Sequence, residues 1–209
     1  AKDLLRDANA HRDFPFRAAA FSSQEPGSDK VKLMVFLEPT EAGVAMKSAV
    51  VGLYDAKGKL TVQGTAEAAN LARTPATMAI LANPGKYRMR VASIDTNGRA
   101  GTVDTDVDVA LTPAGTLQLG SLILGVADSC SFAGRLIFGA EPAALGYLEV
   151  YGVKPGAKIT AQAEISETEN GPVLAVGTTK ILGDGADGKL VILGGVPIVL
   201  QVAPAAGEP

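Results

Sequence analysis

The sequence has no tryptophan, and aromatic residues make up only 5% of it. Sugar-binding and single-strand-binding faces rely on aromatic stacking platforms, so both classes are disfavoured. There is one cysteine, Cys130, and one histidine, His11. No internal disulfide can form, so disulfide arithmetic does not identify a compartment. Ordinary zinc sites are excluded within one chain. A thiol nucleophile at Cys130, in DSCS (128–131), needs a base, and His11 lies half the chain away in a polar arm. Cys130 reads better as a residue at a strand edge or in a small apolar contact. An excess of positive charge is missing as well. Nineteen basic and 22 acidic residues leave a net charge of −3, which gives no basic stripe for nucleic acid. The longest apolar run, LVILGGVPIVLQVAPAAG (190–207), is broken by Gly194, Gly195 and Pro197. A membrane helix needs ~20 consecutive apolar residues, so two buried strands around a turn are expected here. There is no G-x-S-x-G, P-loop or dinucleotide fingerprint. Glu38, Glu41, Glu67, Glu141 and Glu149 are scattered, with no spacing that suggests paired carboxylates.

What is present is a β pattern. The chain has 209 residues, 47% of them hydrophobic, enough for a real core and for two domains of ordinary size. Residues 1–13 are polar, with Leu4, Leu5 and Ala8 at helical spacing, and read as a short helix or arm. From Phe14 the period changes to two. FPFRAAAFS (14–22), KVKLMVFLEP (30–39), SAVVGLYD (48–55) and KLTVQGTAEA (59–68) read as strands. NLARTPATMAILANPGK (70–86) reads as a turn of helix, a strand and a Pro-Gly turn. DAKGK (55–59) and DTNGR (95–99) share the pattern Asp-x-x-Gly-basic, where Asp opens a tight turn and Gly supplies positive φ. Two hairpins of one design are expected. After LTPAG (111–115), further strands are expected at 116–125, 134–140, 146–153, 157–166, 172–181, 189–193 and 197–203, separated by loops such as KPGA, TENGP and GDGADG. Many short strands with Gly/Pro turns indicate sandwiches. The expected fold is therefore all-β. It consists of an arm (1–13) and two tandem immunoglobulin-like or fibronectin-like sandwiches, 14–112 and 113–209.

TVDTDVDV (102–109) places Asp104, Asp106 and Asp108 two residues apart. With DTNGR as the loop, paired positions sum to 194. Arg90 then faces Asp104, Arg88 faces Asp106 and Lys86 faces Asp108. Opposite charges across a strand pair contribute ~0.2–1 kcal/mol each, and a one-residue slip would turn all of them inward. The aspartates thus read as a solvated charge ladder that fixes register. A calcium loop of the helix–loop–helix kind would need Gly and Glu where this chain has Val109 and Gly115. GDGADG (183–188) is similar to one turn of a glycine-rich calcium repeat, but such repeats are stacked arrays. A hairpin loop is the expected reading, with Asp184 and Asp187 as weak calcium candidates.

The stretches 83–125 and 146–175 carry a Pro-Gly-x-Tyr-Arg-x-Arg-Val-Ala strand, an Asp-x-x-Gly-Arg-x-Gly hairpin and a Leu-Glu-x-Tyr-Gly strand. In these the chain resembles the C-terminal β-sandwich region of bacterial, acidobacterial-type von Willebrand factor A-related proteins. The resemblance covers most of residues 14–202. The A domain itself, with its Asp-x-Ser-x-Ser metal site, is not in this chain, and Cys130 stands where DSCS would need its first Ser. The resemblance implies an exported module, secreted, periplasmic or on the cell surface, without catalysis or cofactor. Such a module would serve structure or protein binding, and no functional residue carries over. The family pattern continues past PIVLQVAP with one more strand, whereas this sequence ends at GEP (207–209). The expectation is a second sandwich with an open edge that a strand of another chain fills. The alternative is a small-ligand or calcium-stabilised binding module using the inter-domain cleft or the 183–188 loop. An unrecognised hydrolase ranks third.

Overall fold

The structure, a computed structural model, describes residues 1–7, 9–128, 131–168, 171–185 and 187–197. Ala8, Cys130 and residues 198–209 lie outside these, and with them most of the strand expected over 197–203 and the open edge expected beyond it. The chain is almost entirely antiparallel β, as the alternation predicts.

Seven strands form the first unit. They are β1 (Phe16–Gln24), β2 (Val31–Pro39), β3 (Met46–Tyr54), β4 (Leu60–Thr65), β5 (Ala76–Ala82), β6 (Gly85–Asp95) and β7 (Ala100–Val109). One sheet has the order β1-β2-β5 and the other β4-β3-β6-β7. In the immunoglobulin constant arrangement the fourth strand joins the first, second and fifth. Here the tight loop at 55–59 turns β4 straight back onto β3. The inner faces bury Leu33, Val35 and Leu37 from β2 against Val51, Leu53, Met89 and Val91. Full burial of one such side chain contributes about 1.5–3 kcal/mol.

The two hairpin loops have the same geometry. The Oδ1 of Asp55 accepts the amides of Lys57 and Lys59, each at 2.9 Å. The Oδ1 of Asp95 accepts those of Asn97 (2.9 Å) and Arg99 (2.8 Å). Gly58 (φ +75) and Gly98 (φ +82) adopt the left-handed region that the turn requires.

The arm begins with a 3-10 turn, Lys2–Leu5, rather than an α-helix. Leu5 packs on Val50 and Ala92, on the outer face of the four-stranded sheet. Farther along, the backbone of His11 and Phe14 pairs with the edge of β7 through Thr102 N–H to His11 O (2.9 Å) and Phe14 N–H to Ala100 O (3.0 Å).

The second unit comprises β8 (Thr112–Ala114), β9 (Leu117–Leu119), β10 (Ile123–Asp128), β11 (Ser131–Gly134), β12 (Ala143–Tyr151), β13 (Ala163–Ser166), β14 (Val173–Leu182) and β15 (Lys189–Pro197). The strand path is β11-β10-β12-β15-β14-β13, and the β8–β9 hairpin pairs with the end of β12. Three expected strands differ. Residues 116–125 form two strands, because the chain bends at Gly120–Ser121 to bond to β1. Of 134–140 only Gly134 is in a strand, and of 157–166 only the last four residues are. The apolar run from Leu190 does not turn at Gly194–Gly195. β15 continues through them to Pro197, opposite Gly146 and Leu145 of β12. The missing side chains let neighbours come close, since a Cβ on Gly194 would stand 2.8 Å from that of Ala163, and on β14 a Cβ on Gly177 would overlap the Gly195 carbonyl oxygen.

Candidate functional site

The charge ladder lies in the expected register: Arg90 opposite Asp104, Arg88 opposite Asp106, Lys86 opposite Asp108. Its ion pairs are fewer than the register permits. Arg90 binds Asp104 with two parallel bonds of 2.9 and 2.8 Å. Arg88 leans diagonally to the same carboxylate, at 3.4 Å, rather than to Asp106. Among the described residues the side chains of Lys86, Asp106 and Asp108 make no ion pair. The Arg90 end is not open to solvent. The arm crosses it, and Arg90 also donates to the Asp7 carbonyl oxygen. Hydrogen bonds from Arg90 hold the Asp104 carboxyl below the usual carboxylate range, against a smaller opposing effect of burial.

In the 183–188 loop, Asp187 accepts the amide of Lys189 at 3.1 Å, and Gly188 N–H bonds to Gly185 O at 2.9 Å. These are hairpin-loop bonds. Among the described residues no three of His, Cys, Asp or Glu gather as a metal site would require.

The residues that do converge lie where the two units meet. The alternation of β1 and β2 puts Ala19, Phe21 and Ser23 on one face with Lys32, Met34, Phe36 and Glu38. That face points away from the first core and toward the second unit. Glu38 is only 5% exposed. Its carboxylate accepts the amides of Leu136 (2.7 Å) and Ile137 (3.1 Å) and pairs with Arg135 (3.2 Å). Ser22 and Ser121 exchange two bonds of 2.8 Å, which satisfy the edge of β1. Gln24 N–H donates to the Tyr151 hydroxyl at 3.0 Å.

Tyr151 belongs to a second cluster, on β12 and β15. Period-two spacing sets Tyr147, Glu149 and Tyr151 on one face. Tyr147 donates to Glu149 at 2.8 Å, and Tyr151 and Lys189 also bond to it. Burial pushes the Glu149 carboxyl up, but the bonds from Lys189, Tyr151 and Tyr147 outweigh it and hold it below its ordinary value. Burial, and then the neighbouring Glu149, raise both tyrosines above the usual phenol range. Glu149 is thus kept as a carboxylate and both tyrosines as phenols.

Beside Glu149 lies a cleft of about 820 Å³, walled by β1, β2 and β5 of the first unit and by β10, β11 and β12 of the second. The sequence alone placed neither Glu38 at the junction nor Glu149 at the cleft. One signal was present: β2 is apolar on both faces, since Met34 and Phe36 alternate with Leu33, Val35 and Leu37, as suits a strand covered on both sides.

Compared with protein-family models, curated proteins and solved structures, the chain matches none.

Proposed function

We propose that this chain is a non-catalytic, extracytoplasmic structural module that assembles with further copies of itself through its second sheet. The observation that carries this reading is where apolar surface is left uncovered. Among the described residues seven large hydrophobic side chains are exposed, and six of them (Leu122, Leu124, Val173, Leu174, Val176 and Leu182) belong to the second unit. On β14, Val176 and Leu182 alternate onto one face with Thr178 and Lys180, and Val191 and Leu193 of β15 stand on that face too. Exposed large apolar side chains gathered in one sheet suit an interaction site. In the first unit only Leu81 of the described residues is such a side chain, and the edges at β7 and β1 are partly covered by the arm and by Ser121.

The chemistry of the junction supports a role without catalysis. General acid–base work favours a group whose pKa lies near the working pH. Glu149 and its tyrosines are moved away from neutrality. On the motifs of residues 83–125 and 146–175 we also propose kinship with the C-terminal regions of von Willebrand factor A-related proteins.

Light scattering on a size-exclusion column, over a range of concentrations, tests the reading. The expected result is a mass that rises with concentration and returns to the monomer value in the Val176→Lys/Leu182→Lys variant. A monomer at every concentration overturns assembly between copies.

A further inference from the structure

We propose that the cleft between the two units is a binding site for a small organic anion with a flat, aromatic body, such as an aromatic carboxylate. Its volume of about 820 Å³ lies within the ~300–1,000 Å³ typical of small-molecule sites. Such sites favour interfaces between structural units, and this one draws its walls from both. The first unit supplies Phe21, Met34 and Phe36, and the second supplies Ile123, Phe132 and Tyr147.

The rings are already arranged. Phe21 and Phe36 meet edge to face at 5.1 Å and 62°. Phe132 and Tyr147 stack at 5.3 Å and 27°. The bond to Glu149 fixes the Tyr147 ring. Gly134 lets the second unit run flat against Phe36, because a Cβ there would overlap that ring. A planar ligand between two aromatic pairs gains offset or edge contacts with little reordering of the walls.

Charge selects the ligand's polar end. Lys32 and Arg73 line the cleft. Among the described residues neither side chain has an ion pair or hydrogen bond. Of the lining carboxylates, Glu149 is held by Lys189 and two tyrosines. The cleft therefore carries two cations without an ion-pair partner among the described residues beside an aromatic floor. A carboxylate there gains charge-assisted bonds that a neutral isostere does not.

Titration calorimetry with 2-naphthoate tests this, with naphthalene-2-carboxamide as the neutral isostere. The expected result is saturable one-to-one binding of the naphthoate, at least tenfold weaker for the carboxamide. The Lys32→Gln/Arg73→Gln variant should lose a similar factor and keep its melting temperature, since neither side chain holds the fold together. Thr77→Trp, which puts a large ring into the cleft, should abolish binding. No saturable binding at millimolar naphthoate overturns the site. Equal affinity for acid and amide overturns the role of charge. Binding that survives Thr77→Trp overturns the location.

Discussion

Glu38 accepts the backbone amide of Leu136 at 2.7 Å, across the junction between the first sandwich and the second sheet. One carboxylate also satisfies Ile137 and Arg135, so three donors depend on a single side chain. Arg135 already has a buried Nε without a partner among the described residues. Glu38→Ala would leave two amides and a guanidinium without their acceptor. Bonds to charged groups contribute ~1.5–3 kcal/mol, and unpaired buried donors cost more than the bond was worth. The expected loss is about 2–4 kcal/mol in urea unfolding. Glu38→Gln, which keeps one acceptor oxygen, should cost roughly half as much. A loss below about 0.5 kcal/mol for the alanine variant would show that the junction does not depend on this clasp.

The arm contributes through one residue above the others. Leu5 is 2% exposed and packs on Val50 and Ala92, while Tyr54 donates to its carbonyl oxygen at 2.5 Å. Leu5→Ala should cost about 2 kcal/mol, at the low end for buried leucines because the cluster is small. Leu122→Ala, at a site 57% exposed, should change stability by less than about 0.5 kcal/mol. Chemical denaturation of the two variants side by side reads the contrast. Equal losses would mean that the arm is not docked in solution.

Acid should destabilise the fold within a defined range. Asp95, Asp104 and Glu149 all have carboxyls held below their ordinary values. For Asp95 burial pushes the other way, and bonds from Arg99 and the loop amides prevail. A depressed folded value means that the stabilisation is fully present above the unfolded value, ~3.9–4.3 for these groups. It is lost as pH falls through the folded values. Melting temperature should therefore be insensitive to these three groups between pH 7 and pH 5, and should fall steeply below pH 4. Glu149→Gln should start from a lower melting temperature and fall less on acidification. A wild-type curve that stays flat to pH 2 would contradict the ion pairs.

How much of this could be read from the sequence depends on whether the signal was local. The hairpins at Asp55 and Asp95 were legible because the turn chemistry lies within five residues. The register of Arg88 and Arg90 against Asp104 and Asp106 followed from the loop, since an antiparallel pair fixes every opposite position once its turn is set. The diagonal choice of Arg88 was not legible, because a long side chain can reach two carboxylates and its neighbours decide between them. Glu38 and Glu149 looked scattered in a one-dimensional list. The ion-pair partners are 97 and 40 positions away, and no spacing rule reaches so far, although Tyr147 and Tyr151 flank Glu149 at strand period. The bend at Gly120 was hidden for the same reason: what interrupts that strand is the edge of β1, a hundred residues earlier. Likewise Gly194 and Gly195 read as a break in sequence, whereas in the sheet they make room for the strand beside them.

Close backbone approach also yields the last prediction. Gly101, on the edge of β7, stands against the carbonyl of Phe14, and a Cβ there would overlap that oxygen. The obstacle is backbone, which cannot swing aside as a side chain could. It is held by Phe14 N–H to Ala100 O and Thr102 N–H to His11 O. Gly101→Ala should push the arm off β7 and cost about 2–3 kcal/mol, the upper part of the overpacking range. Gly58→Ala is the control. Its φ of +75° is unfavourable for alanine, but nothing lies within 4 Å of the added methyl, and the expected cost is about 1 kcal/mol. Hydrogen exchange separates the two effects. In Gly101→Ala the amides of Phe14 and Thr102 should exchange at least tenfold faster, whereas in Gly58→Ala they should stay protected. Unchanged protection of both amides in Gly101→Ala would mean that the arm does not pair with β7 in solution.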